Sequence, residues 1–393
     1  MLGLFEGPAE IACAAVIVTS AATGRFRGWR PGVIELGVIV WVLVGVVGTV
    51  AADGPISSED KYRPLLALGL IAGARGVAGA DAKTLTRMAW AFCVGMVVNG
   101  AFGYLQYAFG ALPLEDLLGA NPSVAQRTIP DHEDRFAASG LFFNRLKLAH
   151  VGIIALGVMA FSALRPGRDR RVRALAAVGG LVLTGAILLT WARAALPAAL
   201  AAGAIVFLVS GGWSRGRLLR VGGALATVAL VGGVLGAVTD VGQERFSVLS
   251  RDIAVRLNLF EGGLSMFADH PWFGVGHGAY RLFSPEYVEK GWGPHFIDGH
   301  SIIVHTLAET GIIGFLGFAS ALGAGLWALF TQARDAAAQD DVPATVTQVA
   351  LYSALTFTLL GLAHFVLHHA TVALIFWVAL GVGAARRGEA RRR

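Results

Sequence analysis

"VGIIALGVMAFSALRPGRDRRVRALAAVGGLVLTGAILLTWARAALP", residues 151–197, holds two apolar runs joined by an arginine knot, with a very short turn before a third run begins. Each run approaches the roughly 20 helical residues that cross a hydrocarbon core of about 30 Å. The runs are continuously apolar and lack the alternation of barrel strands, so they read as helices, whose backbone groups are all satisfied within the segment. The knot "RPGRDRRVR", Arg165 to Arg173, carries five arginines and one aspartate. By the positive-inside rule it lies in the cytoplasm, which puts the turn around Arg193 on the outer side.

Working outward, the same pattern fills the chain. Of its 393 residues 55% are hydrophobic and 15% charged, with mean hydropathy +0.64, a balance that a soluble domain of this length rarely has. Spans are expected at about 9–22, 32–52, 64–80, 87–109, 141–164, 174–192, 194–210, 221–239, 301–330, 346–366 and 368–385. The fold class is therefore an all-α polytopic membrane protein with about 11–12 transmembrane helices. Arginines in "GGWSRGRLLR" and "ARRGEARRR" mark two further cytoplasmic points, which sends the segments 110–140 and 240–300 outside. Eleven spans put the N-terminus outside as well, and one span more or fewer reverses that. The first run has no basic stretch ahead of it and is not read as a cleaved signal. Cys13 and Cys93 sit inside apolar runs as small hydrophobes. The net charge of +6 collects in short turns and at the C-terminal end, a distribution that does not point to nucleic acid.

The organisation that follows is an N-terminal set of helices over 1–239 with a smaller outer loop at about 110–140, a large outer loop at 240–300, and C-terminal helices with a basic tail over 301–393. The 61-residue loop contains eight acidic and five basic residues, and a connection that long asks for a function. From Ser250 to Met266 the spacing of Ile253, Leu257, Phe260 and Leu264 predicts an amphipathic helix, with Arg256 beside the apolar stripe. "DHPWFGVGHGAY" (269–280) then predicts a tight, irregular turn, with Trp272 and Tyr280 suited to a membrane interface. Neither GxGxxG nor GxxxxGK[ST] occurs.

After that loop comes "HFIDGHSIIVHTLAETGIIGFLG" (295–317). Its histidines and glutamate invite a metal reading, but no HExxH is present. On a helix starting after Gly299, His300 and His305 are separated by roughly 140°, and His300 and Glu309 by about 13 Å of rise. They do not share one metal without further ligands. His305 and Glu309 are four apart and predict a pair on one face that braces the span. His300 stands at the outer mouth, where a neutral imidazole can take a proton from a hydroxyl. Arg193, Arg135, Arg145 and Lys147 gather at outward positions, the last two also suited to anchoring at the interface. Forked guanidinium donors there suit a phosphate or diphosphate leaving group. His277 and His295 read as loop-surface residues, and His364, His368 and His369 as packing residues near the outer face, with lining of an acceptor entrance as the alternative.

Four segments, in order, carry a resemblance. "GLFFNRLKLAH" (140–150) is similar to a Gly-x-Phe-x-Asn motif, and "LLTWARAALPA" (188–198) to a Thr-Ser-Arg hairpin in which Ala192 replaces the serine. "RLNLFEGGLSMFADHPWFGVGHGAY" (256–280) is similar to a segment that runs from an arginine to Asp/Asn-x-Pro-x-x-Gly-x-Gly. "GHSIIVHTLAETGIIGFLG" (299–317) is similar to His-Ser/Asn…Glu-x-Gly-x-x-Gly. Together they resemble the O-antigen ligase and polymerase family of bacterial membrane glycosyltransferases. The resemblance implies metal- and cofactor-independent, inverting transfer of a glycan from an undecaprenyl diphosphate carrier, on the periplasmic side of the inner (cytoplasmic) membrane. It assigns His300 as the base for the acceptor hydroxyl, and Arg193 and Arg256 to the diphosphate. Arg135 is a further diphosphate candidate. Arg145, Lys147, His305 and Glu309 fall to support. The implied partners are the carrier-linked glycan donor, a lipid A–core or other glycan or protein acceptor, and membrane lipids, with no nucleic acid. Two alternatives stand beside ligation: a polymerase joining carrier-linked repeat units, and a polysaccharide or lipid transporter.

Overall fold

A computed structural model describes residues 31–51, 67, 71, 81–110, 128–129, 132–142, 144–164, 169–211, 214–238, 249–288, 299–336 and 342–390. The expected span 9–22, all of 64–80 but Ala67 and Ile71, Cys13, His295 and most of the 110–140 loop lie outside these residues.

The described chain is an all-α membrane protein. Its helices are α1 (Val33–Ala51), α2 (Ala82–Phe109), α3 (Arg145–Leu164), α4 (Arg170–Leu189), α5 (Ala195–Gly211), α6 (Arg215–Val238), α7 (Leu249–Asp269), α8 (Tyr280–Tyr287), α9 (Ile302–Asp335), α10 (Val342–Gly361) and α11 (Ala370–Ala390). A single 3-10 turn, Val366–His368, separates the last two. One antiparallel pair, β1 (Thr128–Ile129) and β2 (His132–Phe136), lies in the smaller loop. Among the described residues six helices are long and apolar enough to cross a membrane: Val33–Val50, Ala82–Phe109, Arg145–Leu164, Arg170–Leu189, Ile302–Asp335 and Ala344–Gly361. Ala195–Gly211 and Thr371–Ala385 are shorter apolar helices.

The helix ends follow local chemistry. Asp81 caps α2 by accepting from the Thr84 hydroxyl at 2.7 Å and the Thr84 N–H at 2.9 Å, and these bonds hold its carboxyl below the usual range. Asp169, the one acid in the arginine knot, caps α4 by accepting from Arg171 N at 2.7 Å.

Small residues and aromatics do the packing, as expected where lipid offers no hydrophobic drive between helices. Gly37 of α1 and Gly317 of α9 bring their two backbones together, each glycine lying against the other's carbonyl oxygen. Beside that contact Trp41 packs between Phe318 and Trp377, with ring centroids 5.6 and 5.5 Å away. Tyr352 ties α10 to α3: its ring lies on Gly157 and its hydroxyl donates to Ile153 O at 2.9 Å.

The up-and-down order gives the molecule two unlike ends. The α3–α4 connection with its arginines, the α5–α6 connection and the C-terminal end of α11 lie at one end. The α4–α5 turn, the start of α9 and the α10–α11 connection lie at the other. Helices α7 and α8 pack at this second end.

Helix α7 covers the predicted amphipathic helix 250–266. Of its apolar stripe, Ile253, Leu257 and Leu264 are 49%, 60% and 47% exposed, whereas Leu259 and Met266 are buried. Gly262 lies against Val288, and Gly263 against Val304 and Tyr280. Two glycines with Leu259 and Met266 thus form the packing side, and Ile253, Leu257 and Leu264 turn outward.

Candidate active site

The site is organised by a break in α9. In an unbroken helix Ile312 N–H would donate to Ala308 O, and Ile313 N–H to Glu309 O. Instead Ile312 donates to Pro271 O at 2.8 Å and Ile313 to Trp272 O at 3.4 Å. The two vacated carbonyls accept from the same loop, Ala308 O from Val275 N at 2.9 Å and Glu309 O from Gly276 N at 2.8 Å. The loop "DHPWFGVGHG" thus takes over these four hydrogen-bonding groups at the break. Two glycines make this possible. Gly311 has φ 59 and ψ −167, a region essentially restricted to glycine, and a Cβ there would meet the Trp272 backbone. Gly274, at φ 66, lies as closely against the Glu309 backbone. The two glycine-containing motifs of the sequence are therefore the two halves of one joint.

Glu309 anchors that joint from the side-chain level. Its Oε1 is 3.2 Å from His305 Nε2 and accepts from Tyr280 N at 3.2 Å, while its Oε2 is 3.7 Å from His277 Nδ1. His305 Nδ1 accepts from Gly299 N–H at 3.2 Å. That bond leaves the neutral ring its proton on Nε2, where it donates to Glu309. Both ring nitrogens of His305 are thereby committed, and its faces are covered by Tyr280 (centroids 5.0 Å) and Phe365 (3.6 Å). His277 is buried, not a loop-surface residue: its Nε2 lies 3.3 Å from Trp41 O and its ring rests on Gly45 of α1. These residues tie α1, the loop and α9 together, which is the bracing read for His305 and Glu309.

His300 stands apart from them. It has φ 45, one of two non-glycine residues with positive φ among the described residues, the other being Trp191 at φ 60. Such strain persists only where the surroundings enforce it. The turn after α10 does so. Gly361 lies against Ile302 of α9, and the residues that follow stack in register on α9's beginning. Phe365 covers His305, and His364 Nδ1 meets His300 Nδ1 at 3.2 Å, with ring centroids 5.2 Å apart and planes inclined by 27°. His150 of α3 meets His364 edge-on, with centroids 5.6 Å apart, and His369 lies 6.4 Å from His150. Four histidines from three parts of the chain form one group.

The remaining predicted residues divide. Arg145 Nη1 donates to Thr190 O at 3.1 Å, so it is bonded to the hairpin that carries Arg193. That hairpin is tightly turned: the Thr190 hydroxyl donates to Ile187 O at 2.6 Å and accepts from Ala192 N at 3.1 Å. Lys147 is buried on α3, one turn before His150. Arg135 falls on β2, three residues before Ala138, whose N–H donates to Leu189 O at 3.0 Å just ahead of the hairpin. Arg256 is half-buried on α7, seven residues, about 10 Å of helical rise, before Gly263.

Three features were missed in the sequence. His150 and His364 belong to the group around His300. Asn99 and Gln106 of α2 clamp the Gly140 loop: Asn99 Oδ1 accepts from Leu141 N at 2.8 Å, while Gln106 bonds Gly140 N and Gly140 O, each at 2.7 Å. Their signal was present, since two amides seven residues apart share one face of an otherwise apolar helix. The break at Gly311 was the third, because glycine in a membrane helix usually signals close packing.

Residues 178–319 match the family model Wzy_C, described as O-Antigen ligase. No curated protein matches the chain. The matched stretch carries Arg193, Arg256, His300, His305, Glu309 and Gly311, and it bears out the resemblance drawn from the motifs.

Proposed function

We propose that the chain transfers a glycan from a polyprenyl diphosphate carrier to an acceptor hydroxyl, with His300 as the base. Similarity to O-antigen ligases supports the reaction class. The observation that carries the residue assignment is the contrast between two histidines of one segment. His305 has both ring nitrogens committed and both faces covered, whereas His300 stands at a strained backbone position within a group of histidines, its Nδ1 against His364 Nδ1; in this reading its Nε2 takes the proton.

In this reading the acceptor oxygen attacks the anomeric carbon from the face opposite the diphosphate. The hydroxyl proton passes to His300 Nε2, the bond from the anomeric carbon to the diphosphate oxygen breaks with its electron pair, and the configuration inverts. Arg193 and Arg256 meet the charge that develops on the leaving group, with Arg135 as a further donor. A guanidinium suits that task because its fork matches paired oxygens. Arg145 and Lys147 support the hairpin side. The arginine-rich turns lie at the end away from His300, so the positive-inside rule puts the reaction on the periplasmic side of the inner membrane. The large loop at 240–300 is then the part that assembles the site on the helices.

The donor is an undecaprenyl-diphosphate-linked glycan, and the acceptor a lipid A–core or another glycan or protein hydroxyl. A polymerase differs only in taking a carrier-linked glycan as acceptor. The test is joining by the purified protein in lipid discs, given carrier-linked glycan and a lipid acceptor and read on a gel. A shifted lipid acceptor supports ligation. Longer carrier-linked chains support polymerisation, and no product with either acceptor overturns the transfer reading. Joining is expected to be unaffected by EDTA. Loss that a divalent ion restores would return metal chemistry to the account.

A further inference from the structure

We infer that His364 is a positioning residue for His300, holding the one tautomer in which His300 can act as a base; this rests on the base assignment above. The two Nδ1 atoms are 3.2 Å apart, and between two neutral imidazoles such a contact needs one N–H and one lone pair. If His364 donated, the proton of His300 would sit on Nε2, and the nitrogen left for the acceptor hydroxyl could not take a proton. If His300 donates, its Nε2 carries the lone pair that takes the proton, and His364 Nδ1 accepts. The second arrangement alone is productive. When the hydroxyl proton arrives at His300 Nε2, the ring becomes cationic, and its Nδ1–H bond to His364 strengthens. A neutral imidazole thus does for His300 what a carboxylate does for the histidine of a serine hydrolase triad, orienting the ring and fixing its tautomer.

The fold supplies the reason that this contact is specific. The turn after α10 is registered by Gly361 on Ile302 and by Phe365 stacked on His305, 3.6 Å between centroids. Those contacts set the height of His364 against His300. His300 in turn is held at φ 45, so neither ring is placed by its own rotamer alone. His150 flanks His364 on α3 at 5.6 Å between centroids, so the pair is backed by a third helix.

The test uses the full-length protein in lipid discs with carrier-linked glycan as donor. His364→Ala is expected to lower kcat about 10²-fold, the low end of what a general base contributes, with KM for the donor unchanged. In His364→Asn the amide oxygen takes the place of Nδ1 and part of the lost kcat is recovered. In His364→Gln the amide reaches the position of Nε2 instead, and kcat stays low. Because His364 acts only through His300, adding His364→Ala to His300→Ala is expected to cost nothing more. The inference is overturned by wild-type kcat in His364→Ala, by Asn and Gln variants that are equally slow, or by a further loss in the double variant. The Asn/Gln comparison holds even if the alanine variant fails to fold. Activity retained by His300→Ala is the separate result that sinks the base assignment itself.

Discussion

At the scale of single residues, the site depends on how ring nitrogens and guanidinium groups are used rather than on which types are present. His300 and His305 are five apart, yet one is clamped between Gly299 and Glu309 and the other is strained and turned to His364. The distinction was half legible. The four-residue spacing of His305 and Glu309 on a helix gives their pairing directly, and the glycine before His300 marks it as a mouth position. His364 was not legible as its partner, because 64 residues and two helices separate them and no local pattern encodes a contact between chain segments so far apart. Arg256 is a second residue-scale case. It is half-buried on α7 rather than fully exposed. Arg256→Lys is expected to lower kcat roughly 10-fold to 100-fold through loss of the fork, with the folded protein recovered in normal yield. Wild-type kinetics in that variant would remove the two-pronged contact.

At the scale of elements, the decisive unit is the broken helix α9 with the loop that plugs it. Its 34 residues would run about 51 Å if straight, more than a bilayer core needs. The break at Gly311 separates the first turns, with His305 and Glu309, from the longer run that follows. Gly311→Ala would force an alanine into a region that costs about 1–3 kcal/mol, and its methyl would press on the Trp272 backbone. We expect a clear fall in thermal midpoint in detergent, together with loss of joining. An unchanged midpoint would contradict the exchanged hydrogen bonds. Gly323, by contrast, has open space around its Cβ position, and Gly323→Ala is expected to leave both midpoint and joining unaltered. The sequence marked the existence of this helix and of α7, missed the break, and said nothing of which face of α7 packs. Hydrophobic periodicity finds which face is apolar, and it does not say whether that face meets protein or lipid.

At the scale of the molecule, a polarity joins the two. Arginine-rich connections occupy one end, and the histidine group, the Thr190–Ala194 hairpin and the α7–α8 segment occupy the other. Under the proposed orientation, a cysteine placed at Arg281 is expected to react with an impermeant maleimide in intact cells whose outer membrane has been opened. One placed at Arg171 is expected to react only after the inner membrane is permeabilised. The reverse pattern would turn the molecule over. The most direct test of the central claim is the rate of glycan joining by purified His300→Ala beside wild type, with binding of the carrier-linked donor measured on the same samples. The account predicts joining reduced at least about 10²-fold while donor binding and thermal midpoint stay at wild-type values. Joining at the wild-type rate would contradict it.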